Sequence, residues 1–518
     1  MAPDPEFLPS EPAGKPSFSR YHSRYYPYKE ARRHLDAVLD GKTPAIVFIL
    51  GGGLNYLGAD ISRRFPHAIT VSVQPCDDFT GQEVCTADYY WAPSSAVPLR
   101  SILRSALSSG KLAGGIALVE WPPVVSRFQK EADLIRGELL RYLNEESADA
   151  ATIGFWAGRW IRNCVRFAGN ASGASIIRKG TGPLILACAG PSLTEALPAI
   201  KAARDDIALW ALASAVPALL GAGIQPDLAI STDPGFWNGY HVRAACVGGI
   251  PIAMAPSSFC PGMILERSMP VALDTGMLFE KAAIDAARVP SEKADPSGSA
   301  AGTALSLALA ATSGAVALAG YDLAAKDLED HARPYPFDIL DTIGESRLKP
   351  VQSARATRVL DGFPLRFGTW RGSKSFSTYA SKIAVRSSDA NRVYRIGDSP
   401  VETRIPRGDL EELLDGRGEP PQVSRISESV DAKASERREA VAVMLDNLIE
   451  GAAASARAAI ESGVPLPFNA SLLFKALAPR SSAAFIADAA RCAARTVDLD
   501  YAVEDARASA ARLAGSAS

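Results

Sequence analysis

A chain of 518 residues is too long for one hydrophobic core, so two or three domains are expected. Hydrophobic residues make up 47% and charged residues 22%, which excludes wholesale disorder. The net charge of −2 excludes the broad basic field that would hold nucleic acid or an anionic membrane.

The opening stretch, MAPDPEFLPSEPAGKPSFSR, has no apolar core flanked by basic residues, so no secretion signal is expected. No run approaches the roughly 20 apolar residues of a spanning helix, so no membrane span is expected either. Residues 1–40 read as an N-terminal arm. Its first half is Pro- and Ser-rich, and RYHSRYYPYKEARRHL interleaves four tyrosines with basic residues; the alternation could stack on bases, but so short a cluster reads better as a segment laid across the first domain.

From Ala45, AIVFIL, a glycine turn, a helical stretch and AITVSVQP open a βαβ unit, followed by the strand IALVEW and the helical patterns FQKEADLIRGELLRYL and GFWAGRWIRNCVRFAG. Residues 41–175 therefore read as a Rossmann-like domain. Gly51-Gly52-Gly53 with Gly58 would suit a dinucleotide or S-adenosylmethionine, but the second strand ends at Val73-Gln74-Pro75, without the acidic residue that holds a ribose. A tight turn without cofactor is expected.

Residues 176–405 continue in αβ alternation as a central, doubly wound parallel sheet. The strands read as Leu184 to Ala187, ALWALAS, DLAISTD, PIAMAP and AVALAGYDL, with a helix SAAGTALSLALAATSG before the last. After Pro406 the composition turns to Ala, Arg and Glu at helical spacing, so residues 406–518 read as a helical C-terminal domain. The seven cysteines (Cys76, Cys85, Cys164, Cys188, Cys246, Cys260 and Cys492) show no C-x-x-C pair and no histidine cluster. Reduced thiols in a cytoplasmic protein are expected.

Ligands of open parallel sheets bind beyond the carboxyl ends of strands, which singles out four loops. Gly190 permits close backbone approach, Pro191 fixes a turn, and Ser192 and Leu193 begin a helix whose free N–H groups and hydroxyl would cradle a phosphate. Ser192 is equally suited to capping that helix. Ser297-Gly298-Ser299 makes a second small-residue turn, and two such turns suggest one charged ligand. Asp233 and Asp322 end strands; each could hold ribose hydroxyls or assist a divalent ion, or merely close a turn. Gly320 and Tyr321 lie beside Asp322.

ILACAGPSL, PDLAISTD and SGSAAGTALSLALAATSG ending in LAGYDLA, with His331 soon after, resemble in the same order the central domain of the motility accessory factor family and, more distantly, bacterial sialyltransferases. The first domain and VYRIGDSPVETRIP extend the resemblance over roughly residues 45–405. It implies a sialyltransferase-like α/β domain that moves a nonulosonic acid of the pseudaminic or legionaminic type from a cytidine monophosphate (CMP)-activated donor. The implied acceptor is a serine or threonine hydroxyl of flagellin. Ala187-Cys188-Ala189 departs from the sialyltransferases, which tend to place a donor-contacting asparagine before this turn.

Inverting substitution at an anomeric carbon needs a base and stabilisation of the leaving phosphate. Of the five histidines, His331 lies in the polar loop KDLEDHARPYPF just past a strand end and is the preferred base, with Asp322 beside it; His241 competes, while His22, His34 and His67 fall outside the central sheet. No tightly bound cofactor is implied; the nucleotide-sugar is substrate, and a divalent metal is possible without being implied. Two other readings stand beside this one. A 6-hydroxymethylpterin diphosphokinase would share the phosphate turn, although no G-x-x-x-x-G-K-[ST] loop is present. A non-catalytic scaffold would bind flagellin without nucleotide.

Overall fold

The computed structural model describes residues 20–107, 112–365, 368–373, 376, 379–380, 389–397, 399–400, 405–410, 418–426, 434–491 and 493–515. Residues 1–19, Cys492 and parts of the 393–406 segment lie outside the described residues. Two compact units emerge. One comprises residues 1–158 with 447–509, the other 159–446 with 510–518.

The first unit is built on four parallel strands, β1 (Ile46–Leu50), β2 (Ile69–Val73), β3 (Tyr89–Trp91) and β4 (Ile116–Glu120), in the order β3-β2-β1-β4. β1 is an unbroken apolar run because both its faces are covered. Period-two alternation sends Val47 and Ile49 into one core with Leu35 and Leu57, and Ile46, Phe48 and Leu50 into another with Leu103 and Ile135. Residues 27–39 of the expected arm belong to this unit's body, because Pro27–Leu39 is a helix whose Ala31, Leu35 and Leu39 are buried. Its apolar spacing, partly masked by arginines, is what a reading focused on the tyrosines missed.

Among the described residues the second unit holds eight parallel strands: β6 (Leu184–Ala187), β7 (Ala208–Leu212), β8 (Leu228–Ser231), β9 (Ile252–Met254), β10 (Val271–Asp274), β11 (Ser291–Lys293), β12 (Val316–Ala319) and β15 (Val393–Ile396). Their order is β11-β10-β9-β8-β7-β6-β12-β15. β5 (Ser175–Arg178) pairs antiparallel with β16 (Gln422–Arg425), and β13 (Phe363–Pro364) with β14 (Arg371–Gly372). Helix Ala300–Ala311 covers one face: Ala304, Leu307 and Ala308 join Leu184, Leu186, Trp210, Leu228, Ile230 and Leu318 in a single core. Its small residues let helix and sheet approach closely.

The fold is thus α/β with a Rossmann-like parallel sheet and a larger doubly wound parallel sheet. The domain boundaries differ from those expected. A single helix, Gln129–Asn170, replaces the two helical patterns and contributes to both units. The Ala-rich helices do not form a unit of their own, since residues 447–509 group with residues 1–158, and β16 pairs with β5. Composition changes at Pro406, but pairing between distant segments decides which body a helix joins. No helix among the described residues is long and apolar enough to cross a membrane.

Candidate functional site

The chain leaves β6 toward β11 on one side and returns to β12 on the other, so strand order reverses between β6 and β12. Such a switch point opens a crevice beyond the carboxyl ends of the two strands. The loops that leave it are Cys188 to Leu193 and Gly320 to Leu323. They are joined by hydrogen bonds from Cys188 N to Ala319 O at 2.7 Å and from Gly190 N to Gly320 O at 2.8 Å.

Glycine is required at this junction for two reasons. Gly320 has φ +69°, and a Cβ there would lie 2.4 Å from Cys188 O; a Cβ on Gly190 would lie 2.5 Å from both Gly320 O and Asp322 Oδ2. The close approach brings Asp322 onto Ser192, whose N–H donates to Oδ2 at 2.7 Å and whose hydroxyl donates to Oδ1 at 2.5 Å. Leu193 N, Thr194 N and Glu195 N turn back to Gly190 O, Pro191 O and Ser192 O. The Ser192 N–H and hydroxyl, expected to be open, are both taken by the Asp322 carboxylate, and the next three N–H groups by the turn itself. Burial pushes this carboxyl up to about 6, against the two Ser192 hydrogen bonds that hold it down. Tyr321, next in the chain, packs into the sheet core with its hydroxyl unpartnered.

His331 is tied to the same junction. Ala332 N donates to Ala189 O at 2.9 Å, which fixes the loop after β12 against the loop after β6. The imidazole stacks on Tyr335, with centroids 4.0 Å apart and planes at 13°, and its Nδ1 lies 3.3 Å from Asp330 Oδ1. Burial would raise the Asp330 carboxyl, but His331, Arg333 and Arg358 outweigh it and hold the group at about 2. Arg333 and Arg355 bridge Glu329 and Asp338, bracing the loop.

The competing base lies in the same cluster. The His241 ring is 5.8 Å from Tyr335 and 4.8 Å from Phe337, centroid to centroid. Burial holds its pKa down at about 4, with His331 adding to the effect and Asp233 opposing it. A neutral imidazole is the form suited to take a proton. The structure thus brings together Asp233, His241 and His331, which reading along the chain had kept as separate options.

Asp233 itself closes a turn, accepting from Gly235 N at 2.7 Å through Oδ1. Ser299 caps helix Ala300–Ala311 by accepting from Gly302 N at 3.1 Å, Ser297 donates to Ser299 O at 3.3 Å, and Gly298 has φ +72°. That second turn is occupied by capping its own helix, and no hydrogen bond joins it to Gly190, Pro191, Ser192 or Leu193. Among the described residues no three His, Cys, Asp or Glu side chains come together as a metal ion would require.

In the first unit, the glycine turn after β1 is filled by the chain's own side chains. Gln74 Nε2 donates to Gly53 O at 2.8 Å, and Leu54 N donates to His22 Nε2 at 3.0 Å. His22 stacks on Trp121, whose indole N–H donates to Tyr21 O at 2.8 Å. Gln74, which stands where an acidic ribose partner was expected, is a structural strut.

Residues 159–328 match the family model described as 6-hydroxymethylpterin diphosphokinase MptE-like. An uncharacterized protein of Treponema pallidum (strain Nichols) is 27% identical over 228 residues, 43% of this chain and 50% of that protein, so the chain spans about half the length of this relative. A solved structure, the MAf glycosyltransferase from Magnetospirillum magneticum AMB-1, covers 94% of this chain and 82% of its own at 14% identity, with a TM-score of 0.47. Over residues 159–328, which carry both strand ends of the β6/β12 crevice, the chain is similar to the MptE-like family.

Proposed function

We propose that the protein is a glycosyltransferase that moves a nonulosonic acid from a CMP-activated donor to a serine or threonine hydroxyl of flagellin. The observation that carries this reading is the β6/β12 crevice, where a glycine-dependent junction holds Asp322 on Ser192 and ties the His331 loop to Ala189. The donor sugar and the flagellin acceptor come from the motif resemblance.

In this reaction the acceptor oxygen attacks the anomeric carbon, and the bond from that carbon to the phosphate oxygen breaks. CMP leaves with the electron pair, and the hydroxyl proton passes to the His331 imidazole. Asp322 and Ser192 brace the end of the crevice, where their hydrogen bonds hold the β6 and β12 loops together. The MptE-like match over residues 159–328 favours a second reading, transfer of a diphosphate to a hydroxymethylpterin.

Cytidine nucleotides should raise the melting temperature, because a ligand at a hundredfold excess over its Kd adds about 2.7 kcal/mol. His331→Ala should lower turnover on flagellin by about 10²–10⁴-fold while leaving donor affinity intact. A shift with ATP and magnesium but none with any cytidine nucleotide would move the assignment to the diphosphokinase. Full activity of His331→Ala alongside an inactive His241→Ala would pass the base to His241.

A further inference from the structure

Rings at the carboxyl edge of the large sheet form a continuous run. It begins at His331 and passes through Tyr335 to Phe337, whose rings are 5.6 Å apart, and then to Trp237 at 6.3 Å and Phe236 at 5.7 Å. Tyr240 and His241 flank it, and Phe236 ends it against Phe259 at 5.3 Å. One end is therefore tied through Ala332 to the Gly190 turn, while the other reaches solvent: Phe236 is 63% and Trp237 56% exposed.

The loop that presents these two rings is tightly held. Asp233 O accepts from Phe259 N at 2.9 Å, Asn238 spans from Ser231 Oγ to Phe259 O at 2.8 Å each, and Asn163 Nδ2 donates to Pro234 O at 3.2 Å and to Ser257 O at 2.8 Å. A loop so pinned keeps two large aromatic faces in water as part of its native geometry, and a rigid exposed face is what a planar ring needs in order to stack without an ordering cost. The neighbours argue for a small polar ligand over an apolar peptide. His241 and His331 stand among the rings, His331 Nδ1 faces Asp330 Oδ1 at 3.3 Å, and the Nδ1 atom of His241 is buried without a hydrogen-bond partner.

We infer that Phe236 and Trp237 form a stacking shelf for the flat heteroaromatic ring of the transferred group's carrier or acceptor. The ring is the cytosine of a nucleotide donor or a pterin, and the inference rests on the proposed transferase reading for the identity of the ligand.

The test is calorimetric titration of the full chain with CMP, 6-hydroxymethylpterin and ribose 5-phosphate, using Trp237→Ala, Phe236→Ala and Trp237→Phe. Stacking on an aromatic side chain predicts a loss of about 5- to 150-fold in affinity for the ring-bearing ligand in Trp237→Ala. Trp237→Phe should stay within a few-fold of the parent, and ribose 5-phosphate should bind both proteins alike. CMP and pterin serve to tell the two ring sources apart. If CMP binds Trp237→Ala and Phe236→Ala as tightly as the parent, the shelf is refuted and the nucleotide reading survives. If the parent binds neither ring compound, both fall together.

Discussion

Replacing Gly190 by alanine places a methyl carbon where the β6 and β12 loops touch. The ideal Cβ lies 2.5 Å from Gly320 O and 2.5 Å from Asp322 Oδ2, whereas a comfortable carbon-to-oxygen contact is about 3.3 Å, so the overlap is roughly 0.8 Å against each atom. Gly320 O is backbone and already accepts from Gly190 N, and Asp322 is held by Ser192; neither atom can swing aside alone. Overpacking of this kind costs about 1–3 kcal/mol. Breaking a hydrogen bond to the Asp322 carboxylate would add ~1.5–3 kcal/mol. At about 2–4 °C per kcal/mol for a large domain, the melting temperature should fall by roughly 5–24 °C. Ser192→Ala removes one of these bonds and adds no clash, so it should cost about 1–3 kcal/mol. Gly190→Val should also abolish CMP binding in any protein that still folds. Scanning calorimetry of the three variants, with a CMP titration of each, makes the comparison. A Gly190→Ala protein that melts with the parent would refute the close approach on which the crevice depends.

Two pH dependences follow from buried groups. Asp322 titrates near 6 in the folded protein against an ordinary 3.8, so its contribution is complete below about 4 and is lost as pH rises through 6. The loss amounts to roughly 3 kcal/mol, and Asp322→Asn should flatten that part of the stability profile in urea titrations; an unchanged slope would count against a buried carboxyl there. His22 behaves in the opposite sense: burial holds its pKa at about 4 against 6.5, so its stabilisation is present above 6.5 and disappears as pH falls through about 4. Protonation would also set a charge on the nitrogen that accepts from Leu54 N, so His22→Leu should blunt the acid limb of unfolding seen through tryptophan fluorescence. An acid limb identical to the parent's would show that His22 stays solvated.

Much of the architecture is legible in the residues taken in order. AIVFIL and ILACAG are apolar runs ending in glycine, and such runs report their own burial on both faces of a parallel sheet. The four strand-end loops are visible for the same reason, because a strand followed by small residues and a helix has one place to put a ligand. β11 escaped that reading because it is an edge strand of Ser291, Glu292 and Lys293, with no apolar pattern to find. The helical patterns of residues 447–509 were evident, but their assignment to the first unit was not, since a helix's apolar stripe says that it packs and not against what.

What only the tertiary structure decided is which of the readable pieces meet. Ser192 and Asp322 stand 130 residues apart and share two hydrogen bonds because β12 returns beside β6. Through the same return, Ala332 reaches Ala189 and the His331 ring run extends to Trp237, while the Ser297 to Ser299 turn stays with its own helix. Periodicity and turn chemistry describe forces acting within a few residues. Strand order is settled by which faces exclude water together, and that order places a carboxylate, rather than an open set of N–H groups, at the Gly190 turn.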